Sequence, residues 1–248
     1  MTELTYEHPL NEKLRTYLRL EQLLSQLQNL KALDSEWQQQ AFFTTLFALI
    51  EVLDRNDIRP DLIKDCERCE TALVAWANHP SVSDDKLKPV LQQAVRLQSE
   101  LLRSSKFVGN LKEDKFLAPL RQRFAIPGGA CYFDLPQLQY WFNLPHAERT
   151  PMANTWFNEF NLLQQAVSFV LGFCREKGQF TTVNAQNGFY QHNTEQHELL
   201  RIRYPLQAGV YPTVSGNKYR YAIRFMQLCD ENGRSSSEKN ISFRLACC

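Results

Sequence analysis

The sequence predicts an α+β protein: an N-terminal, mainly α-helical domain followed by a smaller, mostly antiparallel β-rich domain. Three observations carry that prediction. Apolar residues recur at three- and four-residue spacing through most of the first two-thirds of the chain, the signature of amphipathic helices. After Gly178 the texture changes to short runs rich in aromatic and β-branched residues, which read as strands. Helices first and strands last favour segregated helices and an antiparallel sheet. We assign residues 1–125 to the helical domain, completed by helices within 145–177, and residues 126–248 to the β-rich domain, with strands mainly in 126–135 and 179–248.

Taken in order, Pro9 suits a first helical position, and Leu10, Leu14, Tyr17, Leu18, Leu24 and Leu27 follow at helical spacing. Arg15, Arg19, Gln22 and Gln26 form a separate polar stripe. Ser35 with Gln38 is a capping box, opening a helix with Phe42, Phe43, Leu46, Leu49, Ile50 and Leu53 on its apolar side. Pro60 starts a third helix, with Leu62, Cys66, Cys69, Leu73 and Trp76 in one stripe. A fourth runs to Arg103 with Leu87, Leu91, Ala94, Leu97 and Leu101 inward; Pro89 either begins or kinks it. Leu111–Phe124 is a fifth, bent or shortened by Pro119. Ile126-Pro127-Gly128-Gly129 breaks the pattern, and Ala130–Phe133 is a candidate first strand. Pro136–Leu144 is ambiguous, and 145–157 is helical with Pro151 a point of interruption. Asn161–Arg175 is apolar on nearly all sides, which marks a buried helix. The strands then fall at Phe180–Asn184, Gly188–Gln191, Glu198–Leu206, Lys218–Leu228 and Ile241–Ala246, with Asn232-Gly233 as a hairpin-type turn.

Composition narrows the function. A net charge of +1 and a pI near 7.6 argue against a generic nucleic-acid binder. No N-terminal apolar run and no long apolar stretch indicate a signal peptide or membrane span. Seven irregularly spaced cysteines suit a reducing cytosol. Cys66 and Cys69 form a C-x-x-C, but both continue the apolar stripe of a helix, so core packing is favoured over metal or redox chemistry. His192 and His197 lie in a polar loop without further ligands, Gly128-Gly129 is not followed by a phosphate-loop Lys, and no G-x-S-x-G occurs. No catalytic residue, metal site or cofactor is nominated.

Positive charge is instead gathered on strands. From Leu199 to Leu228 there are five Lys/Arg and no Asp or Glu. Strand alternation puts Tyr219, Tyr221, Ile223 and Phe225 on one face and Lys218, Arg220, Ala222, Arg224 and Met226 on the other. Arg220 and Arg224 then stand roughly 13 Å apart. Arg201 and Arg203 alternate against Leu200, Ile202 and Tyr204 in the same way. A solvated sheet face is the plainest account of any one arginine, though neutral faces normally mix signs. Three functional classes remain: a single-stranded nucleic-acid binder using the basic face, an enzyme with an unrecognised site, and a module that captures an acidic or acidic–apolar peptide. The aromatic residues point away from the arginines, which disfavours a base-stacking platform. Arginine forks beside apolar surface suit a carboxylate-bearing peptide.

Several stretches resemble the ZapD family of cell-division proteins: Tyr6–Glu21, Arg121–Leu135, Asn187–Asn193, Ser215–Met226 and the terminal Leu245-Ala246-Cys247-Cys248. They occur in order over essentially the whole chain; Gln28–Asn110 matches in pattern only. Tyr6, Tyr17 and Asn217 depart from the family's usual residues. The resemblance implies a non-enzymatic, cytoplasmic homodimer at the mid-cell division site. Such a protein binds the acidic, partly apolar C-terminal tail of the tubulin-like protein FtsZ and cross-links its filaments into bundles at the Z ring. No membrane or nucleic-acid partner is expected. The family's tail-binding surface is cationic and shared between the domains. By motif it carries over to Arg220 and Arg224 first, then to Arg15 and Arg19. Arg55 is a further candidate, for which a helix C-terminal cation is an equally good account. Lys218, Arg201 and Arg203 are added by the strand pattern.

Overall fold

The computed structural model describes residues 3–77, 84–193, 197–217 and 219–248. The chain divides into two compact units, one comprising Met1–Leu18 and Leu171–Cys248, the other Arg19–Val170. Helices fill the earlier part of the chain and antiparallel strands the later part, as the α+β prediction requires.

Strand β1 (Glu3–Pro9) precedes the first helix, α1 (Glu12–Leu30). Pro9 therefore closes a strand instead of opening a helix. Asn11 does the capping, its Oδ1 accepting the Leu14 N–H at 2.7 Å. Leu14, Tyr17, Leu20, Leu24 and Leu27 form the buried stripe of α1.

In α2 (Glu36–Arg55) Ser35 is the N-cap, its Oγ accepting the Gln38 N–H at 3.3 Å. Gln38 reaches back to the Asp34 N–H at 2.8 Å, one residue earlier than a standard capping box. All six predicted apolar residues of α2 are buried. Helices α3 (Arg59–Ala77) and α4 (Asp84–Arg103) pack along each other, and α4 runs through Pro89 without starting there. The predicted fifth helix is two, α5 (Gly109–Glu113) and α6 (Leu117–Phe124). Asp114 separates them because its Oδ1 takes the N–H groups of Phe116 and Leu117 at 2.8 and 2.9 Å. The 126–135 segment holds turns and a short 3-10 turn at Tyr132–Asp134, not the expected strand. Helices α7 (Pro136–Phe142), α8 (His146–Asn158) and α9 (Asn161–Lys177) follow.

An aromatic cluster centres the second unit. The Phe43 ring lies 5.1 Å from Trp141 and 5.7 Å from Trp156, and Phe47 lies 5.0 Å from Phe124. The Trp156 indole N–H donates to Asp114 Oδ2 at 3.1 Å, so its polar end is satisfied. Cys66 and Cys69 are buried, and burial pushes the Cys66 thiol up to about 12, with Cys69 and Asp65 adding to the effect.

The strands of the first unit make two antiparallel sheets. One has the order β1-β4-β8-β2, with β2 at Thr181–Ala185, β4 at Leu199–Pro205 and β8 at Ile241–Cys247. The other has the order β3-β6-β5, with β3 at Phe189–Asn193, β5 at Tyr211–Gly216 and β6 at Arg220–Gln227; β7 (Ser235–Ser236) also pairs with β6. The sheets share one core. Leu200, Ile202, Tyr204, Phe243 and Leu245 from the first meet Tyr221, Ile223 and Phe225 from the second. The Phe225 ring lies 5.1 Å from Phe243 and 6.1 Å from Tyr204. Inner faces of such sandwiches stand about 10 Å apart.

The chain passes from one sheet to the other at Asn187-Gly188, where φ is +49° and +69°. Two successive positive φ values define a tight hairpin turn. Gly188 is required twice over, since a Cβ there would also lie 2.2 Å from the Ser237 carbonyl oxygen. We expect Gly188→Ala to lower unfolding stability by about 2–3 kcal/mol, measured by urea denaturation. Replacing both Cys66 and Cys69 with Ala should cost about 1–2 kcal/mol in lost packing, and metal analysis of the purified wild type should find no stoichiometric zinc.

Candidate functional site

The sheet of β3, β6 and β5 presents the candidate site on its outer face. Tyr221, Ile223 and Phe225 of β6 are buried, so the intervening residues Arg220 and Arg224 are carried outward and exposed. The Ser215-Gly216-Asn217 turn sets their register. Asn217 donates its N–H to the Arg220 carbonyl at 2.8 Å, while its side-chain oxygen accepts the N–H groups of Tyr219 and Arg220 at 2.9 and 3.2 Å. Gly216 is opposite Tyr221, where a Cβ would meet the Tyr221 Cα at 2.6 Å. Lys218 lies outside the described residues. Tyr219, expected inward by parity, is exposed because β6 begins only at Arg220.

Neither arginine has a carboxylate partner among the described residues. The Arg224 guanidinium instead lies 5.1 Å from the centre of the Phe189 ring on β3, close enough for a cation–π contact. Sequence reasoning does not single out Phe189, and it notes Asn217 only as a departure from the family's usual residue. Phe189 becomes legible only from strand register, which pairs it with Arg224.

Arg201 and Arg203 do not join this surface. They project from β4 on the side opposite Leu200, Ile202 and Tyr204, so they leave the sandwich through the outer face of the other sheet. The shared core stands between the two sets. Arg201 is further occupied: its Nε donates to Glu7 Oε1 at 2.9 Å, and Arg175 grips the same carboxylate at 2.6 Å. All three side chains are between 18% and 23% exposed, so the network is largely withdrawn from water. Arg203 lies over Phe180, its guanidinium carbon 3.9 Å from the ring centre. Arg244 emerges on the same face, opposite Arg203, and pairs with Glu3.

The remaining candidates sit on helices. Arg15 pairs with Glu12 Oε1 at 3.0 Å across one turn of α1. Burial lowers the pKa of His8, and the nearby Arg15 charge lowers it further. Arg19 follows one turn later and is exposed. Arg55, at the last turn of α2, pairs with Glu51 and is exposed, the arrangement expected of a helix C-terminal cation. Arg19 and Arg55 belong to the unit Arg19–Val170. Among the described residues no cluster of three metal-ligating side chains occurs, and no helix is long and apolar enough to cross a membrane.

Physically, the site offers two guanidinium groups about 13 Å apart on one strand, without carboxylate partners among the described residues, each able to donate a bidentate pair of hydrogen bonds to a carboxylate. Urea unfolding should separate the two faces. Arg201→Glu sets a second carboxylate beside Glu7 and should cost about 2–4 kcal/mol, whereas Arg224→Glu on the exposed face should change stability by less than about 1 kcal/mol.

A family model described as "ZapD: Cell division protein" matches residues 18–224. The chain is 40% identical over 248 residues to the cell division protein ZapD of Vibrio vulnificus (strain CMCP6), covering 100% of both chains. It is 41% identical over 253 residues to the Yersinia enterocolitica protein of that name, again covering 100% of both. With the Escherichia coli O1:K1 / APEC protein of that name it shares 40% identity over 248 residues, covering 100% of this chain and 99% of that one.

Proposed function

We propose a function from one premise: the chain belongs to the ZapD family of cell-division proteins. Its role is in cell division. Its finer activity, in our reading, is to bind the C-terminal tail of FtsZ through the outer face of β6 and, as a homodimer, to cross-link FtsZ filaments into bundles at the Z ring. The protein would act in the cytoplasm at mid-cell, without catalysis or cofactor.

The observation that carries this reading is the contrast between the two outer faces. Arg201 and Arg244 are committed to Glu7 and Glu3, whereas Arg220 and Arg224 are exposed and without carboxylate partners among the described residues. Unpaired cations on an exposed strand suit a mobile acidic ligand, because binding supplies the missing counter-charge with little rearrangement of the protein. Arg15 and Arg19 join them as candidates through the family resemblance, with Arg55 behind them. Arg203 remains a weaker candidate, since it leaves by the opposite face. Single-stranded nucleic acid is the alternative ligand for such a face. It would need a run of aromatic rings open for stacking, but Tyr221 and Phe225 are buried and Phe189 lies beneath Arg224, which leaves Tyr219 as the open ring of these four.

Bundling follows from valence. One tail site decorates a filament; joining two filaments takes at least two sites per particle, which a symmetric dimer supplies. Each contact can be weak, because a filament displays many tails and the second engagement is effectively intramolecular.

Charge reversal at Arg220 or Arg224 should abolish co-sedimentation with FtsZ polymers while helical circular dichroism and oligomer mass stay unchanged. Normal bundling by the reversed proteins would refute the site. Exposed ion pairs are screened over about 8 Å at physiological ionic strength, so bundling by the wild type should also weaken as salt rises. Bundling indifferent to salt would point to an apolar contact.

A further inference from the structure

We propose that the acidic tail docks as an added strand along the open edge of β3, at Gln191 and Asn193; this rests on the tail-binding reading and specifies its geometry. Among the described residues, the sheet order β3-β6-β5 places no strand beyond β3. The pairing with β6 determines which backbone groups point outward. Phe225 donates its N–H to the Gly188 carbonyl at 2.8 Å, so Gly188 and Phe225 form a hydrogen-bonded pair. Bonded and non-bonded pairs alternate along an antiparallel ladder. Tyr190–Ile223 and His192–Tyr221 are therefore bonded pairs, and Gln191–Ala222 and Asn193–Arg220 are non-bonded ones. The N–H and C=O of Gln191 and the N–H of Asn193 thus face away from the sheet. None has a hydrogen-bond partner among the described residues. Gln191, His192 and Asn193 are all exposed.

The composition of this edge is that of a docking strand. Sheet edges are commonly guarded by charge or proline. Edge strand β1 carries Glu3, Glu7 and Pro9, and edge strand β5 carries Pro212. Strand β3 reads F-Y-Q-H-N, with neither device; edge strand β2, T-T-V-N-A, lacks both as well, so what distinguishes β3 is the neighbouring Arg220 and Arg224, without carboxylate partners among the described residues. Parity also puts the side chains of Phe189, Gln191 and Asn193 on the outer face beside Arg224 and Arg220. Arg224 already leans across to β3, over Phe189, one strand spacing of about 5 Å from the open edge. A peptide strand added there presents alternate side chains to that face, where carboxylates meet Arg224 and Arg220. Its other, apolar side chains turn inward alongside Tyr190 and His192, whose rings lie 6.4 Å apart. The unpaired amide ladder selects a polypeptide, because a nucleic-acid backbone has no matching N–H donors.

The test uses the full chain and a synthetic FtsZ tail peptide, titrated by calorimetry, with single backbone N-methyl groups placed along the peptide. Strand addition predicts a period of two: methylation at every second amide lowers affinity at least about tenfold, and at the intervening amides less than about threefold. Gln191→Pro removes an outward N–H and no bond to β6, so it should lower affinity about tenfold, while Gln191→Ala stays within about threefold. Should Gln191→Pro not fold, the methylation scan on wild type decides. Uniform tolerance of N-methylation, with Arg224→Glu still abolishing binding, overturns strand addition and leaves tail binding intact. Tail affinity unchanged by Arg224→Glu removes the functional reading, and the inference with it.

Discussion

Side-chain alternation on two strands that share one core decides where the cations of this unit go. Strand β4 buries Leu200, Ile202 and Tyr204, and β6 buries Tyr221, Ile223 and Phe225, against each other's sheets. Every other residue on each strand must then leave the sandwich on its own side. Arg201 and Arg203 depart one way, Arg220 and Arg224 the other. A charge count along the chain cannot distinguish this from a single basic face, because it does not know which strands belong to which sheet.

The N-terminal strand makes the two faces chemically different. β1 pairs with β4 in a register that sets Glu7 opposite Arg201 and Glu3 opposite Pro205. Glu7 is gripped by Arg175 and Arg201 together, and Glu3 takes Arg244. That face holds two acids of its own, while Arg203 rests on the Phe180 ring. The face of β6 receives no such acid among the described residues, so Arg220 and Arg224 have no internal counter-charge there. The same distinction accounts for the expected difference between substitutions: a half-buried ion network penalises a reversed charge strongly, while an exposed cation is free to change.

Much of the helical part could be read from spacing alone. The α2 stripe from Phe42 to Leu53 and the Cys66–Cys69–Leu73 stripe are buried as their periodicity requires. What escaped reading has local causes. Glu-Leu-Thr-Tyr-Glu-His-Pro alternates as a strand should, yet Pro9 is as suitable for a helix start as for a strand end, and only pairing with β4 settles it. Tyr211–Gly216 was missed because Pro212 argues against a strand, although an edge strand tolerates it. Ala130–Phe133 has strand-forming residues but closes into a 3-10 turn next to Pro136. At the site, strand parity found Arg220 and Arg224 correctly as outward residues. It could not find Phe189, which is contributed by register, or see that Glu7 had already claimed Arg201.

A complementary pair of exposed guanidinium groups should be judged by complementarity. The most direct measurement is a charge-swap titration, in which the FtsZ tail peptide with its acidic residues changed to lysine is added to protein carrying Arg220→Glu and Arg224→Glu. The account predicts that each change alone destroys binding and that the doubly swapped pair recovers a substantial part of it, in a salt-sensitive manner. A swapped pair that binds no better than either single change would contradict it.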